Sequence, residues 1–221
     1  ELERRMSVFG VEPTQVEAVL LTHEHTDHVR GARSFCQGNG KTAYGTRGTL
    51  SLTPLEGVKG VTMVPAVEYD IGSFKVKPFR VKHLAAEPVA FSLRTDSVKI
   101  SIASDLGSVT PAVAREIAGS DMMLIEANYD EKMLMEGEYP EFLKQAIDGE
   151  NGHLSNTDAG ALARSAVCER TKHVALVHLS KENNTPELAR EAVETALGKS
   201  SAHVRLTVAE HGAPSGPHPL R

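Results

Sequence analysis

The sequence predicts a layered α/β fold in which two β-sheets pack face to face with helices outside. Three observations carry that prediction. Short apolar strands come first, in hairpin-like succession; after Asp105, helix and strand alternate; and the residues suited to holding a metal fall where strands end. With 221 residues, 40% of them hydrophobic and 24% charged, one domain over residues 1–211 with a full core is expected. No apolar run approaches the roughly 20 residues that span a bilayer. The opening ELERRMSVFG does not read as a signal peptide. A net charge of -5 excludes a wholly basic nucleic-acid sleeve but leaves room for a local positive path. Cys36 and Cys168 fall in helix-like stretches, where a thiol is expected to be buried, and they make no disulfide framework. A cytoplasmic location is therefore expected.

In order, the Leu2, Met6, Phe9 spacing predicts a helix over residues 1–10. Glu17 to Thr22 then reads as a buried strand. Val29 to Cys36 reads as a helix ended by Gly38, Asn39 and Gly40. Strands follow at Lys41–Gly45, Val61–Ala66 and Phe74–Lys82, the last carrying Lys75 and Lys77 as edge protection. Val89–Thr95 and Lys99–Ser104 flank a turn and form a hairpin. Beyond Asp105, Thr110 and Pro111 open a helix to Ala118, Met122–Ala127 is a strand, and helices cover Glu131–Glu136 and Pro140–Ile147. Ser155 or Asn156 caps a helix to Glu169. His173–Leu179 is a strand, Thr185 and Pro186 open a helix to Leu197, and Val204–Val208 is the last strand. From Gly212 to Arg221 the Pro- and Gly-rich stretch reads as a mobile tail.

The chemistry concentrates in LLTHEHTDHVR, residues 20–30, which sets His23, His25, Asp27 and His28 behind a buried strand. Crowding three imidazoles and a carboxylate there costs free energy unless a cation compensates them. His23 and His25, two apart on extended backbone, can share one metal; Asp27 and His28 suit a second. His83, Asp105 and His178 each sit at or just beyond a strand end, so the fold can gather them at the same rim. The candidate set is His23, His25 and His83 around one metal and Asp27, His28 and His178 around the other, with Asp105 bridging. Imidazole and carboxylate ligands favour Zn²⁺, with Mn²⁺ or Fe²⁺ as alternatives. Two such cations about 3.5 to 4 Å apart activate a bridging hydroxide and stabilise attacking and leaving oxygens alike. Asp27 would then orient that nucleophile.

The HxHxDH pattern of residues 23–28, with His83, Asp105 and His178 in order behind it, resembles the metallo-β-lactamase-fold hydrolases. SDLG at 104–107, EANYD at 126–130, GHLSN at 152–156 and HLSKENN at 178–184 look like the YycJ-like (WalJ) exonuclease branch, which is related to tRNase Z. The resemblance implies a four-layer αββα sandwich with two divalent metals and phosphodiester hydrolysis on DNA or RNA. It also supports His153 as the general acid, in a loop that could equally be only a helix cap. Ser155, Asn156 and Asn184 become candidate phosphate contacts, although Asn183 and Asn184 also suit a plain turn. Two departures stand out. The family opens with a pair of strands and an Asp-containing loop that are missing here, so an open edge near Glu17–Thr22 and association or low stability are expected. Leu84 follows His83 where the family commonly has Asp. His173, His203, His211 and His218 read as structural or exposed. The same ligands would serve a hydrolase of a lactone, thioester or β-lactam, or a metal-holding protein without activity.

Overall fold

The computed structural model describes every residue except Pro217, Pro219 and Arg221. The chain runs α1 (Leu2–Ser7), β1 (Ala18–Leu20), α2 (Thr26–Val29), α3 (Ala32–Asn39), β2 (Thr42–Gly45), α4 (Arg47–Leu52), β3 (Gly60–Thr62), β4 (Tyr69–Ile71), β5 (Phe74–Arg80), β6 (Val89–Arg94) and β7 (Lys99–Ala103). It continues with α5 (Pro111–Ile117), β8 (Met122–Glu126), α6 (Glu131–Glu136), α7 (Glu141–Asp148), α8 (Asn156–Ala166), β9 (His173–Val177), α9 (Pro186–Leu197) and β10 (Arg205–Val208). β1, β2 and β3 form a parallel three-stranded sheet, and the rest a seven-stranded sheet in the order β10-β9-β8-β7-β6-β5-β4. The large sheet is parallel from β10 to β7 and antiparallel from β7 to β4.

Strand alternation sorts the core into three layers. Ala18, Leu20 and Tyr44 of the small sheet meet Ile71, Val76 and Phe91 of the large one between the sheets. Val19, Leu21 and Ala43 point the other way, onto Val29, Ala32 and Cys36 of α2 and α3. Ala103, Met123, Ile125, Val174 and Leu176 pack outward against Val113, Leu162 and Val193 of α5, α8 and α9. Helix, sheet, sheet, helix is the expected sandwich.

The expected caps hold three of its helices: Thr110, Ser155 and Thr185 accept from Val113, Asp158 and Leu188 N–H. Several expectations are corrected. The single helix at Val29–Cys36 is two, because α2 already begins at Thr26 and the chain turns at Arg30 and Gly31 before α3. α4, capped by Thr46, and β4, joined to β5 through Gly72 at φ 57°, were not expected. β4 makes β5 an interior strand, so Lys75 and Lys77 guard no edge; they pair with Asp70 and with Glu116 of α5. Cys168 lies beyond the end of α8 and is exposed, whereas Cys36 is buried as expected; both are free thiols. The tail from Gly212 extends partly outside the described residues. His218 within it is half-buried, its ring edge-on to that of buried His173 with centroids 4.4 Å apart, in keeping with a structural role. β1 pairs with β2 on one side and with no strand on the other among the described residues. No helix among them is long and apolar enough to cross a membrane.

Candidate metal centre

The loops leaving β1, β5, β7, β8 and β9 converge at one end of the sheets. His23 is buried at 1% exposure just beyond β1, and its ring centroid lies 4.4 Å from that of His25, 4.2 Å from His28 and 5.0 Å from His83. His83 Nδ1 lies 3.0 Å from the Gly152 carbonyl, which can only accept, so this nitrogen carries the proton. Its Nε2 therefore faces His25 Nδ1, at 3.3 Å. Asp105 spans the centre. Its Oδ1 is 3.7 Å from His83 Nε2, and its Oδ2 is 3.2 Å from His28 Nε2. On the far side, Asp27 Oδ2 lies 3.5 Å from His28 Nε2 and 3.8 Å from His178 Nε2. All seven residues of the expected ligand set stand together. They fall into triads whose ligand atoms lie within 4.8 Å of one another: His23, His25 and His83; Asp27, His28 and His178; and His23, His28 and Asp105 across the middle.

The donor set fits divalent cations by a physical test. His23 Nε2 and Asp105 Oδ2 are buried and lack any aligned hydrogen-bond partner, at a cost of about 1–3 kcal/mol for each such group. A cation facing both would satisfy them. Burial, reinforced by the neighbouring histidines, pushes His23 down to about 3, and burial also lowers His83. Both rings are thus neutral and able to coordinate at neutral pH. The backbone adds a further sign. Asp105 and His178 take up left-handed φ values of 58° and 59°, a conformation otherwise adopted by a non-glycine residue only at Ala66 among the described residues. Such strain concentrates where side chains must be aimed.

Glu126, which ends β8 in EANYD, is the residue the sequence reading did not single out as part of the site. It is completely buried. Its Oε1 accepts from His153 Nδ1 and from His178 Nδ1, each at 2.8 Å, while Oε2 accepts from the Leu106 and Leu154 N–H groups at 2.6 and 3.3 Å. Burial alone would raise this carboxyl, but the two imidazoles hold it below the usual range. In return, against the desolvation that opposes charge, the Glu126 hydrogen bond and the charges of Asp105, Glu126 and Asp27 raise His178 to about 9. One carboxylate thereby holds the Nδ1–H of two rings; His178, charged at neutral pH when no ion is present, would give up its Nε2 proton on binding one. His153 lies among the ligands, with ring centroids 5.1 Å from His83 and 5.4 Å from His178.

Ser155, Asn156 and Asn184 need correcting as phosphate contacts. Ser155 is buried and caps α8. Asn156 and Asn184 are buried against each other through reciprocal amide hydrogen bonds of 2.9 Å, and Asn184 also donates to the Ala127 and Asn128 carbonyls and accepts from Thr185 N–H. Their polar atoms are used in joining the loop after β8 to the starts of α8 and α9. Asn183 is likewise buried.

Residues 4–179 match the family model of the β-lactamase superfamily domain. The chain is 33% identical over 189 residues to the exodeoxyribonuclease YycJ of Bacillus anthracis, covering 82% of this chain and 71% of that one. It is 32% identical over 201 residues to the exodeoxyribonuclease WalJ of Streptococcus pneumoniae, covering 87% and 74%. Among solved structures it superposes on the metallo-β-lactamase fold protein YhfI of Bacillus subtilis with a TM-score of 0.70 at 18% identity, covering 93% of this chain and 80% of that one. With a family match over most of its length and a sandwich of the same fold, the chain belongs to the β-lactamase superfamily.

Proposed function

We propose that this protein is an exodeoxyribonuclease that hydrolyses phosphodiester bonds with two divalent metal ions, Zn²⁺ before Mn²⁺ or Fe²⁺. The observation that carries this reading is His153, which is not among the seven expected ligands but is grouped with Asp105, Glu126 and His178 and hydrogen-bonded to the buried Glu126 carboxylate. His23, His25 and His83 would hold one ion and Asp27, His28 and His178 the other, with Asp105 between them. When bound, the ions supply Lewis acidity and charge stabilisation at the phosphate.

The rest is done by side chains. Asp27, whose carboxylate is exposed at the open side of the cluster, accepts a hydrogen bond from the attacking water and turns it towards phosphorus. Glu126 occupies His153 Nδ1, so the proton available to substrate sits on Nε2 and goes to the departing sugar oxygen. A sugar alkoxide is a poor leaving group and needs that proton. The names of the two curated relatives favour DNA over RNA. Two free thiols are compatible with the cytoplasm.

Metal-loaded protein should release nucleotides from an end-labelled DNA oligonucleotide and leave a lactone and a β-lactam intact. Faster turnover of either carbonyl substrate than of DNA would overturn the reading in favour of acyl hydrolysis. Metal uptake with no turnover of any of the three would mark a binding protein.

A further inference from the structure

Thr22 lies between β1 and the histidine cluster, and its one hydroxyl touches a histidine of each expected metal triad. Its Oγ1 is 3.1 Å from His23 Nδ1 and 3.2 Å from His28 Nδ1, and the two ring centroids are 4.2 Å apart. In both rings Nε2 is the nitrogen left for an ion. His23 Nε2 is buried with no hydrogen-bond partner, and His28 Nε2 lies 3.2 Å from Asp105 Oδ2 and 3.5 Å from Asp27 Oδ2. The backbone at Thr22 is tied to both sheets. Leu21 N–H donates to the Tyr44 carbonyl of β2 at 2.8 Å, and the Thr22 carbonyl accepts from Val89 N–H, at the start of β6, at 3.0 Å. A β-branched side chain on so fixed a backbone has little freedom at χ1, so the hydroxyl is held where the two rings need it.

A neutral imidazole that coordinates through Nε2 carries its proton on Nδ1, and that N–H needs an acceptor to fix the ring's tautomer and angle. A hydroxyl oxygen has two lone pairs, one for each of two such rings. We propose that Thr22 is a positioning residue shared by the two metal sites. Its oxygen accepts the Nδ1–H of His23 on one side and of His28 on the other. A single side chain thereby sets one ligand of each site, and both sites weaken together when its oxygen is removed. This rests on the two-ion centre of the reading above.

The test is a Zn²⁺ titration of the metal-free protein in competition with a chromophoric chelator, for wild type, Thr22→Val, Thr22→Ala and Thr22→Ser, with circular dichroism of each metal-free sample. Wild type should take up two ions. Thr22→Val keeps the shape and removes the acceptor, and should weaken the binding of both ions about 10- to 100-fold, the usual cost of losing an outer partner of a metal ligand. Thr22→Ser restores the oxygen and should hold both ions near the wild-type affinity. Should valine disturb the fold, alanine against serine isolates the same oxygen atom. Unchanged metal affinities in the valine variant, or a serine variant that loses as much as alanine, would overturn the inference in favour of a packing role. Weakening of one ion alone would overturn it as well, because the oxygen would then serve a single site. In each of those cases the metal centre stands, since wild type still binds two ions. A wild type that binds fewer than two removes the centre and the inference together.

Discussion

Replacing Asp105 by Asn should lower turnover by about a thousandfold or more and reduce the metal content of the purified protein, while the fold survives. The carboxylate is the one group whose two oxygens face opposite halves of the cluster, Oδ1 towards His83 and Oδ2 towards His28. An amide presents only one acceptor and no charge, so one half loses its anion. Asparagine is the appropriate replacement because the position is left-handed, at φ 58°, and asparagine tolerates that conformation as well as aspartate does. An alanine there would add backbone strain to the loss of a ligand. Metal analysis and circular dichroism on the same sample separate the outcomes. Full metal content with wild-type activity would show that Asp105 is only a strand-end turn residue.

His153→Ala should keep its metals yet lose roughly 10²- to 10⁴-fold in turnover on DNA, the usual size of general acid catalysis. On a nitrophenyl ester, whose leaving group needs little protonation, the loss should be much smaller. Equal losses on the two substrates would make His153 a phosphate-binding group, and no loss would leave it a loop residue. Glu126→Gln extends the argument to the positioning carboxylate. Two backbone N–H groups converge on Oε2, so a glutamine must keep its oxygen there and turn its NH₂ towards the two imidazoles. That donor meets two Nδ1–H donors, and the rings must change tautomer or move. Because His178 shares Glu126, this variant should weaken metal retention as well as turnover, whereas His153→Ala affects turnover alone.

Much of this centre was legible in the sequence because ligands at strand ends need only two kinds of information: residue type and where an apolar run stops. Strand-end placement picked out His83, Asp105 and His178 as well as the compact stretch from His23 to His28. Glu126 sat at such a strand end too, in MMLIEA, but its purpose depends on His153 and His178, 27 and 52 positions away, and a lone carboxylate gives no sign of which rings it will hold. Ser155, Asn156 and Asn184 misled for the related reason that polar residues at a helix start look alike whether they face a phosphate or each other. Only the reciprocal amide pair of Asn156 and Asn184 distinguishes the cases. The left-handed backbone at Asp105 and His178 left no trace in composition, because neither is glycine. α4 and β4 were missed because, short as they are, neither carries an apolar run: RGTLSL is half polar and YDI has Asp at its centre.

The most direct test of a two-metal centre is anomalous diffraction from crystals of the Zn²⁺-loaded protein, recorded on both sides of the zinc absorption edge. Two peaks are expected, one among His23, His25 and His83 and one among Asp27, His28 and His178, with the Asp105 carboxylate between them. A single peak, or a pair that leaves Asp105 or His83 without contact, would contradict the account.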